Sequence, residues 1–144
     1  MATFVKFYTF VEALAEAGHN LGSDTLKFAL TNTAPTQATD TVFDPVTKHP
    51  KRATDNGYTS GSWPKVVTID SSAQSGGVYT LACTTDVVLT ATAGGCGPFR
   101  YVILYNDTSA TKLLISYWDY GSSITLAAGE TFTIDVTDSL LTLT

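Results

Sequence analysis

Of the 144 residues, 44% are apolar and only 15% charged, so much of the polar surface has to come from Thr and Ser, and β-branched Thr suits a pleated strand. That length fits a single domain, 1–144, with a core large enough to fold without staples. The net charge of −5, with 8 Lys and Arg in no stripe, argues against a partner held by phosphate neutralisation, nucleic acid above all.

Phe4, Phe7, Tyr8, Val11, Leu14 and Ala15 recur at i, i+3, i+4, i+7, which predicts an amphipathic helix over 3–17 with Gly18 as its left-handed terminator. The N-terminal element is therefore 1–18. Its aromatic face must pack on its own sheet or on a neighbouring subunit, which makes Phe4, Phe7, Tyr8 and Val11 candidate partner contacts. Lys6, Glu12 and Glu16 interrupt the apolar residues, so no signal peptide is expected here, nor a membrane span elsewhere; synthesis in the cytoplasm and no membrane partner are the expectations.

Thr25 to Leu30 alternates cleanly and predicts a half-buried strand. From 31 to 64 periodicity gives way to Thr, Asp, Asn, Gly and four of the five prolines, which predicts an extended loop or contact arm. Lys48, His49, Lys51 and Arg52 form the nearest thing to a basic patch; as a solvated loop it needs no role, and as a contact it would meet an acidic surface.

Over 65–144 strand signals recur at 65–70, 78–84, 87–93, 99–106, 112–120, 123–126, 131–136 and 140–144, separated by turn formers such as Ser75-Gly76-Gly77 and Ala128-Gly129. The 99–105 run is apolar on both faces and belongs in the middle of a sheet. In 131–136, Phe132, Ile134 and Val136 point inward. The predicted fold is mainly β, an antiparallel sandwich or barrel-like domain with one N-terminal helix and a long Pro-rich loop.

Chemistry is sparse in these residues. There is no Gly-x-Ser-x-Gly elbow and no phosphate cradle, and Gly94-Gly95-Cys96-Gly97 reads as a hairpin connection. His19 and His49 stand thirty residues apart, without ligand spacing; His19 suits the negative end of the helix. Asp86, Asp107, Asp119, Asp135 and Asp138 lack the dense spacing of a calcium loop. Cys83 and Cys96 read as small buried hydrophobes, with a bridge left open. Tyr101, Tyr105, Tyr117, Trp118 and Tyr120 read as core, with sugar or peptide stacking as the other use of such a stripe. No catalytic residue, metal or cofactor is expected, and the chain is read as a structural or binding protein.

Three stretches belong together: His19-Asn20-Leu21-Gly22-Ser23-Asp24-Thr25-Leu26-Lys27 running on to Ala34-Pro35; Gly97-Pro98-Phe99-Arg100-Tyr101 with Leu104-Tyr105-Asn106-Asp107-Thr108; and Trp118-Asp119-Tyr120-Gly121-Ser122-Ser123 ending in Gly129-Glu130-Thr131-Phe132. With them the chain resembles a family of small virion proteins of tailed bacteriophages. The resemblance implies a virion component, most like a capsid decoration or cement protein on the capsid surface. Such a protein would bind the major capsid protein and associate with itself, a trimer being favoured. A receptor- or glycan-binding module of a tail tip or fibre, and a tail or connector structural protein, are the alternatives.

Overall fold

The computed structural model describes residues 2–50, 54–58, 63–136 and 139–144. They form a mainly β chain of three antiparallel sheets and one short helix that do not close into a barrel. The largest sheet runs β1 (Thr3–Lys6), β9 (Leu114–Leu126), β8 (Cys96–Asn106), β2 (Leu26–Thr31), β4 (Lys65–Val66), with β3 (Thr54–Asp55) on the far end of β8. β8 is central, as its two apolar faces require.

Register sorts the faces of this sheet. Phe28 lies opposite Leu104 and Leu30 opposite Val102, so these four share one face, while Ala29 and Ile103 share the other. The first face packs with Leu81 and Cys83 of β6 (Val78–Cys83) and with Val87 and Leu89 of β7 (Val87–Thr90). β6 sits between β5 (Ile69–Ser75) and β11 (Leu141–Leu143), and β7 pairs with β10 (Thr131–Ile134). All three sheets thus feed one core, where each buried Phe or Leu contributes roughly 1.5–3 kcal/mol. Cys83 and Cys96 lie in it without a disulfide between them, and burial pushes the Cys83 thiol up.

The N-terminal segment departs from the predicted helix. Thr3–Lys6 is strand β1, and the helix α1 spans only Tyr8–Ala15. Pairing explains the difference: β9 would otherwise offer an open edge, and β1 covers it with Phe4 set opposite Trp118, ring centroids 5.3 Å apart. The inward face of the helix region is Phe7, Phe10 and Leu14, another i, i+3, i+7 series, while Tyr8 and Val11 turn outward. The left-handed residue at its end is Ala17 (φ 60) and not Gly18. Gly18 is needed for a different reason, since a Cβ there would lie 2.9 Å from the Ala13 carbonyl oxygen that its N–H bonds.

Strand boundaries also move: β7 and β10 end short of 93 and 136, and β8 begins at Cys96, inside the expected Gly94–Gly97 connection. The predicted 65–70 strand breaks at Val67, whose N–H bonds Leu26, because the chain leaves the large sheet there and enters β5. β5 then runs on through the exposed Ser71–Ser75, paired with β6 across the Gly76-Gly77 turn. The predicted 112–120 and 123–126 strands are one, with Gly121 (φ 92) inside it.

Beyond the end of β2 the only strand among the described residues of the arm is β3, and the arm is pinned to its own sheet. Val42 bridges Leu113, the Phe43 N–H donates to the Lys112 carbonyl at 2.8 Å, and the Phe43 ring stacks on Tyr105 with centroids 4.4 Å apart. Pro35, Asp40 and His49 of the arm are themselves buried. Proline removes periodicity without removing anchors, and Phe43 over the second face of the sheet is such an anchor. Among the described residues no helix is long and apolar enough to cross a membrane.

Candidate partner interface

β1 is the outermost strand of the large sheet. The Phe7 N–H donates to Ile115 on β9, so by alternation Val5 and Thr3 also face β9 while the peptide groups of Phe4 and Lys6 face away. Gln37 Nε2 donates to the Lys6 carbonyl at 2.8 Å, and the Tyr8 N–H returns a bond to the Gln37 carbonyl at 3.2 Å. The arm therefore caps one end of this edge. Among the described residues no strand pairs along the Phe4 stretch.

Beside that edge is a groove of about 660 Å³ whose walls include Phe4, Trp118, Tyr120 and Phe132. The rings meet edge to face: Phe4 on Trp118, Phe28 on Trp118 from within the core, and Phe132 between Tyr120 (6.2 Å) and Phe99 (5.0 Å). The inner ends are therefore fixed by packing while the outer rings face solvent, Phe4 46% and Tyr120 52% exposed. Thr133, Asp135 and Ser139 supply a polar rim.

Several charged groups of the large sheet and its flanking turns are held in bonds within the chain. Arg100 grips Asp119 with two bonds of 2.7 and 2.8 Å and lies 5.2 Å from the Tyr101 ring centre. Asp119 also accepts the Gly121 N–H at 2.7 Å, and these bonds hold its carboxyl below the ordinary carboxylate range. Lys27 and Lys112 both pair with Asp107 at 2.8 Å. Asp86 accepts the Val136 N–H, and Asp138 lies outside the described residues. Asn106 Nδ2 donates to Asp24 and sits 3.2 Å from Nδ1 of the buried His19, where burial keeps the imidazole pKa low. Among the described residues no three His, Cys, Asp or Glu converge as metal ligands.

The residues singled out from sequence do not come together in one place. Phe4 reaches the groove, and Tyr8 and Val11 are exposed on the outer face of α1. Phe7 is fully buried and serves the chain's own core. Lys48 pairs with Asp40 at 3.0 Å, and His49, expected in a solvated loop, is buried against Phe43. Lys51 and Arg52 lie outside the described residues. The aromatic stripe of β8 and β9 splits, with Tyr105 and Tyr117 against the second face and Trp118 against the first. Tyr120 and Phe132 as one surface escaped the sequence reading because they meet only once β9 and β10 are folded. Compared with family models, curated proteins and solved structures, the chain matches none of them.

Proposed function

We propose that this chain is a bacteriophage virion structural protein, a capsid decoration or cement protein that binds the major capsid protein, associates with itself as a trimer and stabilises the head shell. The observation that carries the reading is the aromatic groove beside the open Phe4 edge of β1. Rings half in the core and half in solvent give a rigid apolar surface that loses little side-chain entropy when a neighbour covers it, and the free peptide groups of Phe4 offer that neighbour backbone bonds. The resemblance of the 19–35, 97–108 and 118–132 stretches to virion proteins supports the same reading. At the level of layers we read the fold as a sandwich, the large sheet against the two smaller ones, which suits a protein whose work is mechanical.

Cryo-electron microscopy of the purified virion tests this. Trimeric density for this chain over the three-fold positions of the head is expected; density confined to the tail would sink the decoration reading in favour of a tail or connector protein. Phe4→Asp and Tyr120→Asp are each expected to weaken self-association or shell binding at least tenfold while shifting the thermal midpoint by no more than a few degrees. Binding that survives both substitutions would remove the groove from the interface. The hydroxyls of Thr133 and Ser139 beside the rings favour, as a second reading, a glycan-binding module of a tail tip or fibre. Glycan-array binding abolished by Tyr120→Ala is the result that would establish it.

A further inference from the structure

The turn at 44–50 is closed by one backbone bond, by the Asp44 carboxylate, which accepts the Val46 and Thr47 N–H groups, and by the ring of His49. His49 is 2% exposed, its N–H donates to the Asp44 carbonyl at 2.6 Å, and its Nδ1 accepts the Asp44 N–H at 3.1 Å. A ring nitrogen that accepts carries no hydrogen, so the neutral imidazole keeps its proton on Nε2. That atom is buried 3.5 Å from Asp40 Oδ2, without hydrogen-bond geometry. The flat of the ring lies on Phe43, centroids 5.6 Å apart at 11°, and Phe43 in turn lies on Tyr105 at 12°. Three stacked rings thus cover the second face of the large sheet.

We propose that the 44–50 turn is an acid-operated latch: protonation of His49 breaks its ring bond to Asp44 and swings the turn off Phe43, baring the Phe43–Tyr105 stack. Geometry supplies the force. A proton on Nδ1 sets a ring N–H against the Asp44 N–H, donor against donor. The Asp40 carboxylate, which accepts the Thr36 N–H at 2.7 Å and the Lys48 ammonium at 3.0 Å, stands 3.5 Å from Nε2 and so does not relieve the clash at Nδ1. Opening stops at Phe43, which stays tied through its own N–H to Lys112 and through the Leu114 N–H to Thr41.

Among the described residues the charged groups facing the ring are Asp40, Asp44 and Lys48; from the sheet side it meets Phe43, with Tyr105 behind, whose phenol burial keeps neutral. Burial lowers the His49 pKa and outweighs the pull of Asp40 and Asp44. Bonds from Thr47 and Val46 hold the Asp44 carboxyl at about 2, and Thr36 and Lys48 hold Asp40 below its ordinary range, so both stay ionised where a histidine titrates. The closed turn therefore binds fewer protons than the open one. Closure is complete above the unperturbed imidazole value of 6.5 and is lost as pH falls below it toward the pKa of the closed state.

The test is an NMR titration of the labelled full chain from about pH 8 to about pH 5, following the His49 ring and amide exchange across 44–50, corrected for the intrinsic rate. Expected is a ring midpoint below 6.5, with exchange at Asp44 and His49 rising at least tenfold at the same midpoint while Ile103 and Leu104 keep their protection. Amides that stay protected through the midpoint, or a ring that does not titrate in that range, would overturn the latch. His49→Phe keeps the stack and removes the proton, so its turn should show no acid response; an undiminished response would assign the switch to another group. His19→Gln should leave the transition in place, and its disappearance would move the switch to His19. Should His49→Phe fail to fold, the wild-type titration decides by itself.

Discussion

Replacing Phe7 by Ala is expected to cost about 3–5 kcal/mol of unfolding free energy, whereas Tyr8→Ala, one position along, should change it by no more than about 0.5 kcal/mol. Phe7 is fully buried, with its ring 5.2 Å from that of Tyr117 and against Ala29, Ile103 and Leu114. Its N–H also bonds the Ile115 carbonyl, so the residue joins β1, α1 and β9 at one point. Truncation leaves a cavity that the paired strands on either side cannot collapse into. Tyr8 is 62% exposed and its loss uncovers little. Urea unfolding of the two variants, with unchanged m-values, measures the difference. Equal costs would mean that the stripe read from sequence, with Tyr8 and Val11 inward, is the true one and that α1 is rotated from the orientation described.

That contrast shows what the sequence can and cannot fix. Helical spacing found an amphipathic segment near the N-terminus, but two stripes that share Phe7 and Leu14 satisfy it: one adds Phe4, Tyr8, Val11 and Ala15, the other adds Phe10. Which one faces inward depends on what β9 leaves uncovered, a tertiary fact. Strands with clean alternation, such as 25–30 and 131–136, and the doubly apolar 99–105, were legible because burial on one face or both writes directly into residue type. β5 was not, since Ser71–Ser75 is exposed and owes its strand to pairing with β6 and not to its own side chains.

The candidate interface was legible in part for the same reason. Phe4 announced itself as an apolar residue in need of cover, yet its neighbours Tyr120 and Phe132 belong to strands far along the chain, and Gly121 interrupts the alternation that would have placed Tyr120. His49 misled in the other direction. Set among Lys48, Lys51, Arg52 and prolines it reads as solvated, because nothing local reveals that Phe43 and Asp40 fold over to bury it. Charge composition describes a loop's average environment, and a single stacked ring can reverse it at one residue.

Gly57→Ala is expected to destabilise the protein by about 3 kcal/mol or more, while Gly76→Ala should cost only about 1–2 kcal/mol. Both glycines have positive φ, 91° and 58°, so both substitutions carry the strain of an L-residue in that region. They differ in what surrounds them. A Cβ on Gly76 meets nothing within 4 Å, whereas one on Gly57 runs into the Thr90 carbonyl oxygen and lies 3.1 Å from the Ala91 Cα. Neither backbone can withdraw freely. Ala91 is held from the far side by its bonds with Glu130 and Gly129, and the 56–58 turn is held by the Thr92 N–H to the Asn56 carbonyl and by Asn56 Nδ2 to the Gly95 carbonyl. The following Tyr58 is buried, stacks on Trp63 at 5.4 Å, and accepts the Leu30 N–H of β2 at 3.3 Å. Pushing residue 57 outward therefore pulls a ring from the core and strips a buried strand amide of its partner, a loss of about 1–3 kcal/mol on top of the backbone strain. Thermal unfolding of the two variants side by side separates strain from collision. Equal shifts would show that positive φ is the whole cost and that the 56–58 turn does not press on the end of β7; a markedly larger shift for Gly57→Ala fixes that turn as the clamp holding β2, β3 and β7 to one core.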